Sequence, residues 1–187
     1  MAEGTTAAIV LVGPMGAGKT SIGRRVAREL GVTFTDTDSI VVRDHGAIAD
    51  LFATQGETRF REIERAAVGE ALARGGVVAL GGGAVLNADT RHDLAAHRVV
   101  LLTVAPHIVR SRIQGEARPL LATDDDPVAR WQTIMAARKP LYEEVADVTF
   151  DTSSGPLALV VADIVAWVRG QQPAADGAFG VLSEETK

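Results

Sequence analysis

Cysteine is absent from this 187-residue chain. That removes disulfides and thiolate metal sites while leaving the compartment open. Positive charge is in short supply too: 19 Lys and Arg stand against 24 Asp and Glu, a formal net charge of −5. This balance argues against a broad nucleic-acid-binding face, yet leaves room for local positive pockets that take a small anion. There is no apolar stretch long enough to span a bilayer and no secretory leader, so a soluble cytoplasmic protein is expected, with no membrane or nucleic-acid partner. No internal repeat is present. The rest is ordinary for a globular domain: 47% apolar and 23% charged residues. At this length one domain can bury about two-thirds of its unfolded surface.

Residues Gly13 to Thr20 read GPMGAGKT, which fits G-x-x-x-x-G-K-[ST] without a mismatch. The continuous apolar run Ala7 to Val12 precedes it and suits a buried parallel strand. Ser21 to Leu30 follows, with Ile22, Val26 and Leu30 at helical spacing and Gly31 as a stop. The glycines let the backbone curl so that successive N–H groups point at phosphate oxygens. Lys19 is then expected to reach the β- and γ-phosphates, and the Thr20 hydroxyl to ligate Mg²⁺. A glycine turn before a core helix is the plainer alternative. Strand, loop, Lys-Thr and helix in the right order favour a nucleoside triphosphate.

Further apolar runs recur at Val32 to Thr35, Val77 to Leu80, Val99 to Val104 and Val148 to Phe150. Helical patterns lie between them, clearest over Glu57 to Arg74 and Pro127 to Ala137, and Leu157, Val161, Ile164 and Val168 share one face of a last helix. The alternation predicts an α/β fold, a parallel sheet with helices on both faces, and a ligand beyond the carboxyl ends of the strands. Residues 1–170 read as a single domain. Within it, residues 114–126 carry Gly, Pro and Asp124-Asp125-Asp126 without apolar period, and read as a lid that excludes water from the phosphates. From Gln171 onward the composition is that of a disordered tail.

The ligand edge collects polar residues. Asp36 and Asp38 follow the second strand; if that segment is extended they share one side, one suited to a metal shell and the other to a substrate hydroxyl. Asp38 or Ser39 also suits a helix cap before Ile40 and Val41. Gly81-Gly82-Gly83 closes the third strand, where many phosphate-loop NTPases carry a magnesium aspartate. Here there is none, which shifts the metal role towards Asp36. The glycines suit either a flexible turn or close backbone approach to an anionic or hydroxylated ligand. Arg61 and Glu64, one turn apart and off the Phe60–Ile63–Ala67 face, also fit a surface ion pair. Arg118-Pro119 and Arg138-Lys139-Pro140 each place an arginine fork, suited to carboxylate or phosphate, near a stiffening proline. The histidines His45, His92, His97 and His107 read as surface or structural.

Together these segments, with Phe60-Arg61-Glu62-Ile63-Glu64, Arg118-Pro119-Leu120-Leu121 and Arg138-Lys139-Pro140-Leu141-Tyr142, resemble the shikimate kinase family from about Ala7 to Arg169. The resemblance implies a three-layer sandwich around a five-stranded parallel sheet, a P-loop NTPase of the nucleoside-monophosphate-kinase type. It implies transfer of the ATP γ-phosphate to the 3-hydroxyl of shikimate, with Mg²⁺ as cofactor; a monomer is expected. Carried over by motif, Gly16, Ala17, Gly18, Lys19, Thr20, Ser21 and Arg118 would bind ATP. Asp38, Arg61, Gly82 and Arg138, completed by Gly81, Gly83 and Glu64, would bind shikimate, with the two arginines on its carboxylate and Asp38 on its hydroxyls. Lys19, Asp38 and Arg118 would carry the chemistry. Thr20 would hold Mg²⁺ directly and Asp36 through water. One departure stands out: Ser111 occupies the place, seven before the lid arginine, where family members often carry an adenine-side arginine, with Arg110 and Arg112 as candidate substitutes.

Three other readings fit less well. Another small-molecule kinase, such as a gluconate kinase, fits the phosphate loop but not the two-arginine carboxylate site. A silent nucleotide-binding module would have lost Lys19, Thr20, Asp36, Asp38 or Arg118, all present here. A GTP switch would need an N-K-x-D sequence, which is missing.

Overall fold

Each apolar run becomes a parallel strand: β1 (Ile9–Val12), β2 (Phe34–Asp36), β3 (Val77–Ala79), β4 (Arg98–Thr103) and β5 (Val148–Asp151). The computed structural model describes residues 7–113 and 126–170. The expected lid, except Asp126, and the expected tail lie outside that range. The five strands pair in the order β2-β3-β1-β4-β5, all parallel. From central β1 the chain first builds one flank (β2, β3) and then the other (β4, β5). A crevice therefore opens at the carboxyl end of β1, as expected for an open α/β sheet.

The helices are α1 (Lys19–Leu30), α2 (Thr37–His45), α3 (Ile48–Arg74), α4 (Ala88–Leu94), α5 (Pro106–Ile113), α6 (Pro127–Val145) and α7 (Leu157–Val168). Why the strands read as unbroken apolar runs is visible in the packing. Val10, Val12, Val78, Leu80, Val99 and Leu101 point into one core with Ile40, Phe60, Ile63, Val68 and Leu94. Ile9, Leu11, Val77, Val100 and Leu102 point into the other with Ile22, Val26, Val109, Val161 and Ile164. Alternate residues thus serve opposite faces, both covered by helices.

Several element boundaries differ from the sequence expectation, each for a physical reason. Strand β2 starts at Phe34 rather than Val32, which is 44% exposed. Helix α3 begins at Ile48, nine residues before Glu57, and is broken at Gly56, whose φ of 79° leaves the helical region. Helix α7 buries Val160 and Val165 besides Val161 and Ile164. Helix α6 does not stop near Ala137 but runs through Pro140. An internal proline costs a helix about 3 kcal/mol; here the turn beyond it carries the buried Tyr142 into the first core. At its other end the same helix puts Trp131 into the second core. Asp126 caps it, accepting from Val128 N at 3.0 Å and Ala129 N at 3.3 Å.

Candidate active site

The phosphate loop leaves β1 and turns into α1 at Gly18, whose φ of 85° is left-handed and open to glycine at little cost. No side chain caps α1. An uncapped helix start of this kind suits an anion at the positive end of the helix. Lys19 folds back over the loop, its Nζ donating to Gly13 O at 2.8 Å and Pro14 O at 2.9 Å. In the first turn the Thr20 hydroxyl donates to Asp36 Oδ2 at 2.7 Å. Ser21 is exposed beside it.

Asp36 does a second job. Its Oδ1 accepts from Asp38 N at 3.0 Å and Ser39 N at 3.3 Å, so it is Asp36 that caps α2, not Asp38 or Ser39. The segment is therefore extended only to Asp36, and Asp38 sits in the first helical turn. The helix starts where the ladder stops, because a side chain bonded to the amides two and three residues on favours a helical turn there. Both acids still border the crevice by a different route. Asp36 faces Thr20, and Asp38 turns toward the glycines after β3.

Those glycines are where four elements meet. The Thr37 hydroxyl accepts from Gly81 N at 2.9 Å, fastening the glycine turn to α2. A Cβ on Gly81 would stand 2.5 Å from Asp38 Oδ1 and 2.8 Å from Glu64 Oε1. One on Gly83 would overlap the Arg61 guanidinium, at 2.7 Å from Cζ and 2.8 Å from Nη2. Close approach, not flexibility, is what these positions supply. Gly82 O accepts from Arg138 Nη1 at 3.1 Å and from the Tyr142 hydroxyl at 2.5 Å. Asp38, Arg61, Glu64, Gly81, Gly82, Gly83 and Arg138 are thus brought into one pocket, next to the phosphate loop.

Arg61 and Glu64 are no surface pair. Their side chains are 18% and 5% exposed and joined at 2.7 Å, with Glu57 Oε1 also accepting from Arg61 at 3.0 Å. Burial works against the Arg61 charge, but Glu64 and Glu57 more than offset it, holding its pKa above the ordinary arginine value. Burial pushes the Glu64 carboxyl above the usual glutamate range, opposed by Arg61 and then Arg138. Among the described residues, Arg61 Nε is a buried donor with no hydrogen-bond partner. Arg138 is itself only 8% exposed. A buried guanidinium on Arg138 and a half-buried one on Arg61, the latter with an idle buried donor, make a fitting seat for a carboxylate.

On the opposite side of the loop, Arg112 donates to Gly16 O at 3.0 Å and to Thr152 Oγ1 and O at 3.2 and 2.8 Å. Ser111 bonds its own helix at Ile108 O, and Arg110 is exposed. Arg118 lies outside the described residues. Among the histidines, His97 is structural, its Nδ1 accepting from Ala8 N at 3.0 Å, while His45, His92 and His107 are exposed. Sequence reasoning did not single out Tyr142, Trp131 or Thr152. Tyr142 was within reach, one turn beyond Arg138 on the same helix. For Trp131 and Thr152 there was no local signal.

For a metal, Thr20 and Asp36 offer hydroxyl and carboxylate oxygens side by side, the donor chemistry that Mg²⁺ prefers. No group of three or more His, Asp or Glu suited to a metal occurs among the described residues. A magnesium ion bound through one or two protein oxygens and phosphates fits that set; a fully protein-caged ion does not.

The sequence model of the shikimate kinase family matches residues 15–169. The shikimate kinase of Streptomyces avermitilis is 50% identical over 145 residues, covering 76% of this chain and 84% of that one. That of Corynebacterium efficiens is 45% identical over 159 residues, covering 84% and 94%. Among solved structures, shikimate kinase from Acinetobacter baumannii in complex with shikimate superposes with a TM-score of 0.83 at 36% identity, over 89% of this chain and 94% of that one. A family model that spans most of the sequence and relatives at 45% and 50% identity show that this chain belongs to the shikimate kinase family.

Proposed function

We infer that the protein transfers the γ-phosphoryl group of ATP to the 3-hydroxyl of shikimate, giving shikimate 3-phosphate and ADP on the way to chorismate and the aromatic amino acids. The observation that carries the substrate half is the pairing of half-buried Arg61 and buried Arg138 around Gly82 and Gly83, with the Asp38 carboxylate one glycine away. A small polyol acid matches that set: carboxylate on the guanidiniums, hydroxyls on the aspartate.

In the reaction the hydroxyl oxygen attacks Pγ in line while the bond from Pγ to the ADP oxygen breaks. The protein's part is positioning and charge neutralisation. Gly16, Ala17, Gly18, Thr20 and Ser21 would cradle the triphosphate, with Lys19 on its β- and γ-oxygens. Arg118 is assigned to the same phosphates by family motif. Asp38 orients the attacking hydroxyl and accepts its proton. Thr20 and Asp36 would hold Mg²⁺, the latter through water; the ion would neutralise charge on the phosphates. Arg61 and Arg138 fix the acceptor so that its hydroxyl faces the loop.

The enzyme is proposed to act as a monomer. No described helix is long and apolar enough to cross a membrane. We place the reaction in the cytoplasm. A coupled ADP-release assay with shikimate, quinate, gluconate and nucleoside monophosphates tests the substrate. Turnover should be highest with shikimate, and faster turnover with gluconate would overturn the reading.

A further inference from the structure

Two consecutive carbonyls of the phosphate loop are gripped from outside by side chains of two different helices. The Trp131 indole donates to Met15 O at 3.0 Å from α6, and Arg112 donates to Gly16 O at 3.0 Å from α5. Trp131 is 3% exposed and packed in the second core, so its N–H has a fixed direction. Arg112 is held at its other side by Thr152, itself 1% exposed and tied by its hydroxyl to Thr103 O at 2.9 Å. The grip therefore has a rigid anchor at both ends.

In a planar trans peptide the carbonyl and the next N–H point in opposite directions. Holding the Met15 and Gly16 carbonyls outward turns Gly16 N–H and Ala17 N–H toward the inside of the loop. There Ala17 N reaches Pro14 O only at a long 3.3 Å, and Pro14 O also accepts from Lys19 at 2.9 Å. A phosphate offers stronger, charged acceptors to these same donors. Preorganised donors bind better because the ordering cost is met before the ligand arrives.

We propose that Arg112 and Trp131 are positioning residues that set the phosphate loop in its anion-binding form, so that their hydrogen bonds govern affinity for the polyphosphate and not for the adenine or the phosphoryl acceptor. Arg112 stands next to Ser111 and has its guanidinium engaged with the Gly16 and Thr152 carbonyls, which distinguishes this role from an adenine contact. The inference rests on residues 13–21 being the triphosphate site.

The test is calorimetric titration of the full chain with inorganic tripolyphosphate, with ADP and with shikimate alone. Arg112→Met keeps the stem and removes the donors; Trp131→Phe keeps a ring in the core and removes only the N–H. Each variant should weaken tripolyphosphate and ADP alike, by about three- to tenfold, with Arg112→Lys recovering part of the loss. Shikimate affinity should stay within about twofold of wild type, the sites being separate. Loss confined to ADP would make Arg112 an adenine contact and overturn the proposal. Parallel loss of all three ligands, or loss of none, would overturn it as well. If Arg112→Met does not fold, Trp131→Phe decides by the same comparison. Wild-type protein that takes up no tripolyphosphate would remove the phosphate-site assignment itself; binding by wild type with unchanged variants would remove only this inference.

Discussion

Asp36 bonds Thr20 with one carboxylate oxygen and caps helix α2 with the other. The acid proposed for the metal is therefore also the residue that caps the helical turn on which Asp38 sits. Asp36→Asn keeps shape and cap, since asparagine caps as well as aspartate. It should raise the Mg²⁺ concentration needed for half-maximal rate while leaving the melting temperature nearly unchanged. Asp38→Asn should leave that metal midpoint in place and reduce turnover and shikimate binding. The same metal shift in both variants would end the division of roles.

Gly83→Ala separates pocket geometry from stability. The added methyl would meet the end of the Arg61 side chain, a group able to swing away. Thermal stability should thus fall little. The displaced guanidinium should nonetheless raise the shikimate KM at least about tenfold, equivalent to 1.4 kcal/mol. Steady-state kinetics with both substrates decide it: an ATP KM that rises equally would place the damage elsewhere.

Arg61→Ala removes one arm of the proposed carboxylate seat and strips Glu64 of its main counter-charge. Removing one partner of a desolvated charge pair costs about 2–5 kcal/mol. The shikimate KM should rise accordingly and the ATP KM little. Arg61→Lys should recover only part, because an ammonium lacks the planar fork. An unchanged shikimate KM in Arg61→Ala would take Arg61 out of the pocket.

Tyr142 is the single tyrosine of the chain, so its titration can be followed alone. Burial raises its pKa above the ordinary value of about 10, with Arg138 acting in the opposite direction. A raised folded-state pKa contributes stability that is full below the unfolded value and lost as pH rises through the folded one. Stability should therefore fall with pH above about 10, and Tyr142→Phe should lack that slope. The variant should also lose about 0.5–1.5 kcal/mol at neutral pH from the missing bond to Gly82 O. Tyrosinate absorbance and urea melts measure both; a native midpoint at or below that of free tyrosine would contradict the burial argument.

Much of the fold could be read directly from the chain because its determinants are local. Five apolar runs became five strands, each boundary within a few residues; in central β1, β3 and β4 both faces are buried, so nearly every residue there must be apolar. The phosphate loop was legible because loop, lysine, threonine and helix start are adjacent in sequence. Its glycine at the helix start answers a backbone requirement that only a few residues meet.

Tertiary structure decided the rest. Whether Arg61 and Glu64 form a surface pair or line a pocket depended on Gly81 and Gly83 arriving from β3, which buries them. Which acid caps α2 depended on where the β2 ladder ends. Above all, Trp131 and Arg112 lie 116 and 96 residues from the carbonyls they hold. No period or motif encodes a hydrogen bond between a distant side chain and a backbone oxygen. Such a contact exists only once two helices have packed against the sheet and set both ends in place.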